Sequence, residues 1–195
     1  MTEWYRWAAA GIIVMFYGTY FVKRIVLRRR GLDTARLGKG DKPVTVRRQE
    51  RLLVGLTVAL ALIQFGTVIA GRSPWPITRG CVPLAVFGTV AGTVGVCYFV
   101  ASVTAMRDNW RAGIDVSQNT RLVTDGIYLF SRNPAFVGFD LMYAGFASIY
   151  PDWTIIVLGV AAAVMFHRQI LSEEEYLEKR FGAEYSEYRK RTSRY

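Results

Sequence analysis

Two polar segments near the end of the chain carry the residue types that chemistry needs. The first, residues 126–138, reads GIYLFSRNPAFVG and brings together Tyr128, Arg132, Asn133 and Pro134. The second, residues 172–191, reads SEEEYLEKRFGAEYSEYRKR and carries Glu173 and Glu174. Between them lie two apolar runs joined only by Tyr150-Pro151-Asp152-Trp153. So short a connection returns the chain to the side it left, so the two segments are expected side by side at one membrane face. Asn133 before Pro134 suits a helix N-cap followed by the first helical position, and a helix N-terminus offers unpaired N–H groups to a carboxylate. Ser172 with Glu175 three residues on has the form of a capping box, which predicts a second helix start there. Acids in a first turn also suit the helix dipole, and Phe181-Gly182 reads as the stop of that helix. Capping does not require Glu173 and Glu174, which leaves both as candidates for ligand chemistry.

The elements that must position these residues are apolar helices. Hydrophobic residues make up 52% of the chain, and they gather in long uncharged runs rather than amphipathic stripes. Five spans are expected: residues 7–22, 52–71, 80–106, 135–150 and 153–166. The second and third are long enough to cross about 30 Å of hydrocarbon at 1.5 Å per residue. The last two are shorter and read as short spans or a buried hairpin. The predicted fold is therefore all-α: an integral membrane helical bundle of about five transmembrane helices with a cytoplasmic C-terminal pocket. The first run follows an acid, contains Trp and Tyr and lacks a small-residue cleavage site, so it reads as a retained span rather than a signal peptide. In the third, Gly88, Gly92 and Gly95 form a small-residue face that lets another helix approach. Trp4, Trp7, Trp75 and Trp153 fall where aromatic anchors meet the membrane interface. Residues 31–45, with Gly38, Gly40 and Pro43, read as a linker.

The net charge of +10 is unevenly placed. Lys23, Arg24, Arg28, Arg29, Arg30, Arg36, Lys39, Lys42, Arg47, Arg48 and Arg51 cluster between the first two spans, against only Arg72 and Arg79 in the next connection. Positive-inside bias places the first loop in the cytoplasm and the N-terminus outside, which puts residues 107–133 and the C-terminal tail in the cytoplasm as well. Such a loop attracts anionic lipid headgroups. It abuts a span and lacks interleaved aromatics, which argues against nucleic acid as a partner. One His and two separated Cys, Cys81 and Cys97, supply neither a metal-ligand cluster nor a disulfide framework.

Taken in order, Asn109-Trp110-Arg111-x-Gly113, Leu122-Val123-Thr124-x-Gly126-x-Tyr128, Arg132-Asn133-Pro134-x-Phe136-x-Gly138 and Glu173-Glu174-x-x-Leu177-x-x-x-Phe181-Gly182-x-x-Tyr185-x-x-Tyr188 resemble the isoprenylcysteine carboxyl methyltransferase family. Phospholipid methyltransferases share parts of the pattern. The resemblance covers the C-terminal half and divides the chain into residues 1–108, membrane helices with the basic loop, and 109–195, the methyltransferase region. It implies a multi-pass cell-membrane enzyme that takes S-adenosylmethionine from the cytoplasmic side and a lipidated or prenylated acceptor from the bilayer. Carried over by motif, Thr120, Arg121, Leu122, Val123, Tyr128, Asn133, Pro134, Ala135, Phe136 and Glu173 would line the cofactor site. Where eukaryotic members have an acceptor-binding Arg four residues before the first Glu, this chain has Gln169, with Arg168 beside it. Asn133 stands where many members have His, as in some bacterial relatives.

The side chains suit that cofactor. Tyr128 and Phe136 offer rings to the adenine or the sulfonium cation, the helix start with Arg132 offers a carboxylate site, and Glu173 accepts from amino or ribose hydroxyl groups. Displacement at the methyl group creates no oxyanion, so catalysis rests on positioning and water exclusion. A carboxylate acceptor needs only a guide, for which Arg168 or Gln169 serves. A protonated amine needs a base, for which Glu174 is the candidate. Asp140, an intramembrane carboxylate, and His167 are further residues to place. The alternatives are a phospholipid or amine N-methyltransferase, an NADPH-dependent sterol-type reductase, and a membrane scaffold whose polar segments are caps and anchors.

Overall fold

The computed structural model describes residues 3–34, 36–39, 42–78, 81–111, 113 and 121–195. Every regular element among them is helical: α1 (Trp4–Arg29), α2 (Val44–Ala70), α3 (Val82–Ala105), α4 (Pro134–Ile149), α5 (Trp153–Phe181) and α6 (Ala183–Arg191), with short 3-10 turns at Arg107–Asn109 and Gly126–Leu129. Four of these helices, α1, α2, α3 and α5, are long and apolar enough to cross a membrane. Helix α4 has 16 residues, about 24 Å at 1.5 Å per residue, which is short of a full hydrocarbon thickness. Val58, Leu62, Ile69, Phe87, Val160 and Val164 are all exposed on the helix surfaces, as a bundle solvated by lipid requires.

Helix boundaries follow local chemistry. Pro43 precedes α2, and Gly71 ends it in the left-handed region at φ 68°. Arg6 of α1 completes that end, its Nε donating to the Val68 carbonyl at 2.8 Å and its Nη2 to that of Ile69 at 2.9 Å. Proline stands in the first turn of α3 and of α4. The expected second start at Ser172 is not there. Helix α5 runs unbroken from Trp153 to Phe181, because no Gly or Pro interrupts residues 160–181. The Ser172 hydroxyl donates to the Arg168 carbonyl one turn back at 3.2 Å. Residues 153–166 form the apolar length of α5, and the polar stretch from His167 onward projects beyond it as a continuation of the same rod. The stop falls where expected: Gly182 has φ 54° and separates α5 from α6.

Helices α3 and α4 pack at backbone contact. A Cβ on Gly88 would lie 2.5 Å from the Gly145 carbonyl oxygen, and one on Gly95 would lie 2.7 Å from that of Gly138. The backbone of Gly92 lies against Gly145 of α4, and a Cβ on Gly92 would meet Ile12 of α1. The small-residue face of α3 thus brings α4 close along its length. Aromatic rings fill the centre of the bundle: Phe16 stacks on Phe99 at 4.3 Å and meets Phe139 edge-on at 4.7 Å, while Phe166 of α5 closes on Phe139 at 4.9 Å.

The contacts sort the termini into two ends. At one, Tyr5 meets Tyr150, Ile77 N donates to the Pro151 carbonyl at 2.9 Å, and Trp153 N donates to that of Trp75 at 3.1 Å. Asp152 is fully buried here. It caps α5 through Thr154 N at 2.8 Å and Ile155 N at 3.1 Å, and it also accepts from Trp75 N. Asp152→Ala removes a cap and orphans a donor of the neighbouring loop, so a stability loss of about 1–2 kcal/mol or more is expected. Denaturant titration of the purified protein in detergent measures it. The opposite end, where α1 and α3 finish and α2 and α4 begin, collects the basic loop, the 3-10 turn, the polar extension of α5 and the C-terminal tail.

Candidate functional site

At that basic end the polar residues form two adjoining groups. The first is built on the turn Gly126–Leu129. Tyr128 is buried, its hydroxyl paired with the Ser102 hydroxyl of α3 at 3.0 Å. Its carbonyl accepts from the Tyr188 hydroxyl of α6 at 2.6 Å. Leu122 and Val123 pack against Tyr128, Tyr185 and Tyr188, so the stretch before α4 is clamped between α3 and α6. Burial, eased by the Ser102 hydrogen bond and reinforced by the charge of Glu173, pushes the Tyr128 phenol up to about 12. Tyr128 therefore stays a neutral phenol across the physiological range.

Asn133 is the N-cap of α4 by position, yet no side chain caps that helix. The Asn133 amide turns away and donates to the Arg194 carbonyl at 3.2 Å and to Glu174 Oε1 at 3.5 Å. Glu174 is held by two arginines: Arg132 reaches Oε1 at 2.8 Å and Arg194 reaches Oε2 at 2.9 Å. The side chains of Arg132 and Glu174 are each only 8% exposed, so this pair is a buried ion pair. Arg132 also donates to the carbonyls of Arg189 and Thr192, and its backbone N to that of Ser193 at 2.9 Å. Its guanidinium is therefore committed to protein groups rather than left beside the helix start for a ligand. Burial pushes the Glu174 carboxyl up, but the hydrogen bonds from Arg194 and Arg132 outweigh it and hold the group below its ordinary range. A carboxylate held in that way is a poor base.

Glu173, one residue earlier, faces different partners. Its Oε1 accepts from Gln169 Nε2 at 2.9 Å. The same nitrogen donates to Glu50 Oε1 of α2 at 3.3 Å. Lys42 from the α1–α2 connection grips both Glu50 oxygens, at 2.9 and 2.8 Å. Burial pushes Glu173 up to about 7, with the Gln169 hydrogen bond working against it and the Glu50 charge adding to it. The two adjacent carboxyls are thus driven apart: Glu174 is a fixed anion in a clasp, and Glu173 is poised to exchange a proton near neutrality.

The remaining residues singled out from sequence sit around these groups. Pro134 is buried and Ala135 partly so; Phe136 packs on Phe166 at 5.3 Å. Arg121 is exposed, its N–H held by Asn109 Oδ1 at 3.1 Å. Thr120 lies outside the described residues. Gln169 is buried in the junction with α2, whereas Arg168 is exposed on the outer surface of α5. His167 stands next to it, hydrogen-bonded to the Tyr195 hydroxyl, with the rings 6.1 Å apart. Asp140 is partly buried in α4, and its Oδ1 has no partner among the described residues. Lys42, Glu50 and Arg194 were not singled out from sequence. Glu50 is the one of these with a signal, as the only acid in the basic stretch 42–51.

Fold and site together define an integral membrane helical bundle whose polar machinery is assembled at one end, on an uncapped helix start and a carboxylate-bearing helix. The chain belongs to the phospholipid methyltransferase family, which matches residues 83–184, just over half of its length. The matched stretch begins in the first turn of α3 and ends in α6, taking in Tyr128, Asn133, Glu173 and Glu174. The chain is also 35% identical over 71 residues to the protein-S-isoprenylcysteine O-methyltransferase of Schizosaccharomyces pombe (strain 972 / ATCC 24843). That stretch is 36% of this chain and 30% of the yeast protein. Lys42 and Glu50 lie outside the family match.

Proposed function

We propose that this methyltransferase uses S-adenosylmethionine and methylates the carboxylate of an isoprenylcysteine-type lipid acceptor at the cytoplasmic face. The observation that carries the reading is the meeting of the two polar segments: Asn133 and Arg132, from the start of α4, both bond Glu174 of α5. That joins an open helix N-terminus to the helix that carries Glu173. The residues present suit the cofactor. The first turn of α4 has no side-chain cap. Pro134 lacks an N–H, and those of Phe136 and Val137 donate to the Asn133 carbonyl at 3.1 and 3.2 Å, so the Ala135 N–H is the one offered to the amino-acid carboxylate. Glu173 accepts from the amino or ribose hydroxyl groups, and the half-buried Phe136 lends aromatic surface, while the Tyr128 ring is buried against Tyr185 and Tyr188 and backs the site from behind. The basic loop at this end supports its cytoplasmic placement by the positive-inside rule, with the N-terminus outside.

Bound S-adenosylmethionine supplies an activated methyl group. The protein's part is alignment of the acceptor and exclusion of water. An acceptor carboxylate arrives already ionised and needs a cationic guide; Arg168, exposed on the outer surface of α5, is the cation this reading assigns to an acceptor arriving from the bilayer. Glu174 holds the site together rather than taking a proton, and Gln169 orients Glu173. A second reading, methylation of a phospholipid amine, draws support from the family match and from Glu173. A carboxyl near 7 can accept the proton that an ammonium headgroup must lose.

Transfer of radiolabelled methyl from S-adenosylmethionine to a prenylcysteine analogue, with ethanolamine phospholipid vesicles in parallel, tests both. The first reading expects label in base-labile ester on the prenylcysteine; label only in lipid headgroup would replace it with the second. Glu173→Ala should lower transfer about 10- to 100-fold, since hydrogen bonds to a charged group are each worth about 1.5–3 kcal/mol. Full activity in that variant would count against the assigned site.

A further inference from the structure

We propose that Lys42 and Glu50, from a part of the chain outside the family match, are positioning residues for methyl transfer: the pair fixes the Gln169 amide, and Gln169 fixes Glu173. The proposal rests on the reading of Glu173 as a cofactor ligand. Glu50 is fully buried, and Lys42's side chain is 5% exposed. Two buried charges are expensive to desolvate, and an apolar contact would tether the loop to α5 as well. The geometry goes further than a tether. Glu50 accepts from Lys42 on both oxygens, from Gly38 N at 2.7 Å and from Gln169 Nε2 at 3.3 Å. Lys42 is itself anchored by the Arg36 carbonyl at 3.0 Å.

The consequence falls on Gln169. Its NH2 group has two hydrogens and two carboxylates to receive them, Glu50 and Glu173. Flipping the amide would turn its carbonyl oxygen toward both anions, so the carboxylates determine its orientation. The carbonyl is then left buried without a partner among the described residues, a cost the fold accepts while holding the NH2 end in place. Gln169, so oriented, sets one oxygen of Glu173. Lys42 also offsets the charge of Glu50 close to Glu173. The charged or titratable groups that act on Glu173 are Glu50 and Lys42 from the α2 side; Tyr128, from the turn before α4, feels its charge in return.

Binding of S-adenosylhomocysteine, followed against pH, tests the arrangement in the full-length protein. The double variant Lys42→Met/Glu50→Leu removes both charges together with the acceptor for Gln169. Its dissociation constant should rise about tenfold while its helical signal is unchanged. Lys42→Met/Glu50→Gln keeps a carbonyl acceptor and should stay within about threefold of wild type. In that variant the pH midpoint for binding should fall, because Glu50 raises Glu173 more than Lys42 lowers it. Wild-type affinity and an unmoved midpoint in both double variants overturn the proposal. If the leucine variant does not fold, the midpoint of the glutamine variant decides alone. Failure of the wild type to bind S-adenosylhomocysteine would instead remove the functional reading. The Glu173 carboxyl band, identified by infrared difference against Glu173→Gln, would still report whether the pair sets its titration.

Discussion

Replacing Gly145 with alanine should destabilise the protein by about 3 kcal/mol or more and abolish methyl transfer with it, although Gly145 is remote from the site. The new Cβ would sit 2.5 Å from Gly92 N and 2.6 Å from the Gly88 carbonyl oxygen. These atoms are backbone of a facing helix and cannot rotate away, so α3 and α4 must separate. Overpacking a fitted contact costs about 1–3 kcal/mol where side chains adjust, and a backbone clash lies at or above that range. The separation propagates because α3 carries Ser102, the partner of Tyr128, and α4 opens at Asn133. Gly11→Ala is the control: nothing lies within 4 Å of its added Cβ. Alanine there should be neutral or stabilising by up to about 1 kcal/mol through helix propensity. Thermal unfolding in detergent, with methyl transfer assayed on the same preparations, separates the two.

Glu174→Ala should cost about 3–5 kcal/mol, because it leaves Arg132 charged and buried with no counter-ion. The loss has a defined shape. Arg132, Asn133 and Arg194 converge on this carboxylate, and two of them, Arg132 and Asn133, also hold the tail through the carbonyls of Thr192, Ser193 and Arg194. Removing Glu174 frees the tail and α6, and with α6 goes the Tyr188 bond to the Tyr128 carbonyl. Limited proteolysis should cut the variant within the C-terminal residues while the long helices stay protected. The pH dependence follows from sign. The folded protein holds Glu174 below its ordinary carboxyl range. Its stabilising contribution is therefore complete above the unfolded value of about 4.3 and is lost as pH falls through the folded one. Wild type should lose stability on acidification in that window, and the alanine variant should lose less.

The long helices were legible because uncharged runs of that length have few other solutions. The Gly88, Gly92 and Gly95 face was legible for a related reason: small residues at helical spacing in an apolar run leave room only for another helix. Asn133-Pro134 marked its helix start correctly, yet the Asn133 side chain left the cap for Glu174 and the tail, a choice set by residues 41 and 61 positions away. Ser172 to Glu175 misled because a capping pattern starts a helix only where the preceding chain has stopped being one, and α5 arrives there intact. The different lots of Glu173 and Glu174 were not readable at all. Neighbouring residues on a helix point about 100° apart, one toward Gln169 and α2, the other toward Arg132 and Arg194. Which cation of the basic loop would fold onto Glu50 depended on the turns of the α1–α2 connection, and local sequence gave no reason to prefer Lys42. Arg194 stands in a tail with no pattern, and its role appears only once that tail lies beside Ser131.

Calorimetric titration of the purified protein in detergent with S-adenosylhomocysteine, and separately with NADPH, tests the central claim most directly. The account predicts saturable binding of S-adenosylhomocysteine at one site, no binding of NADPH, and an affinity reduced about 10- to 100-fold by Glu173→Ala at unchanged helical content. Folded wild-type protein that ignores S-adenosylhomocysteine, or a Glu173→Ala variant that binds it as tightly as wild type, would contradict it.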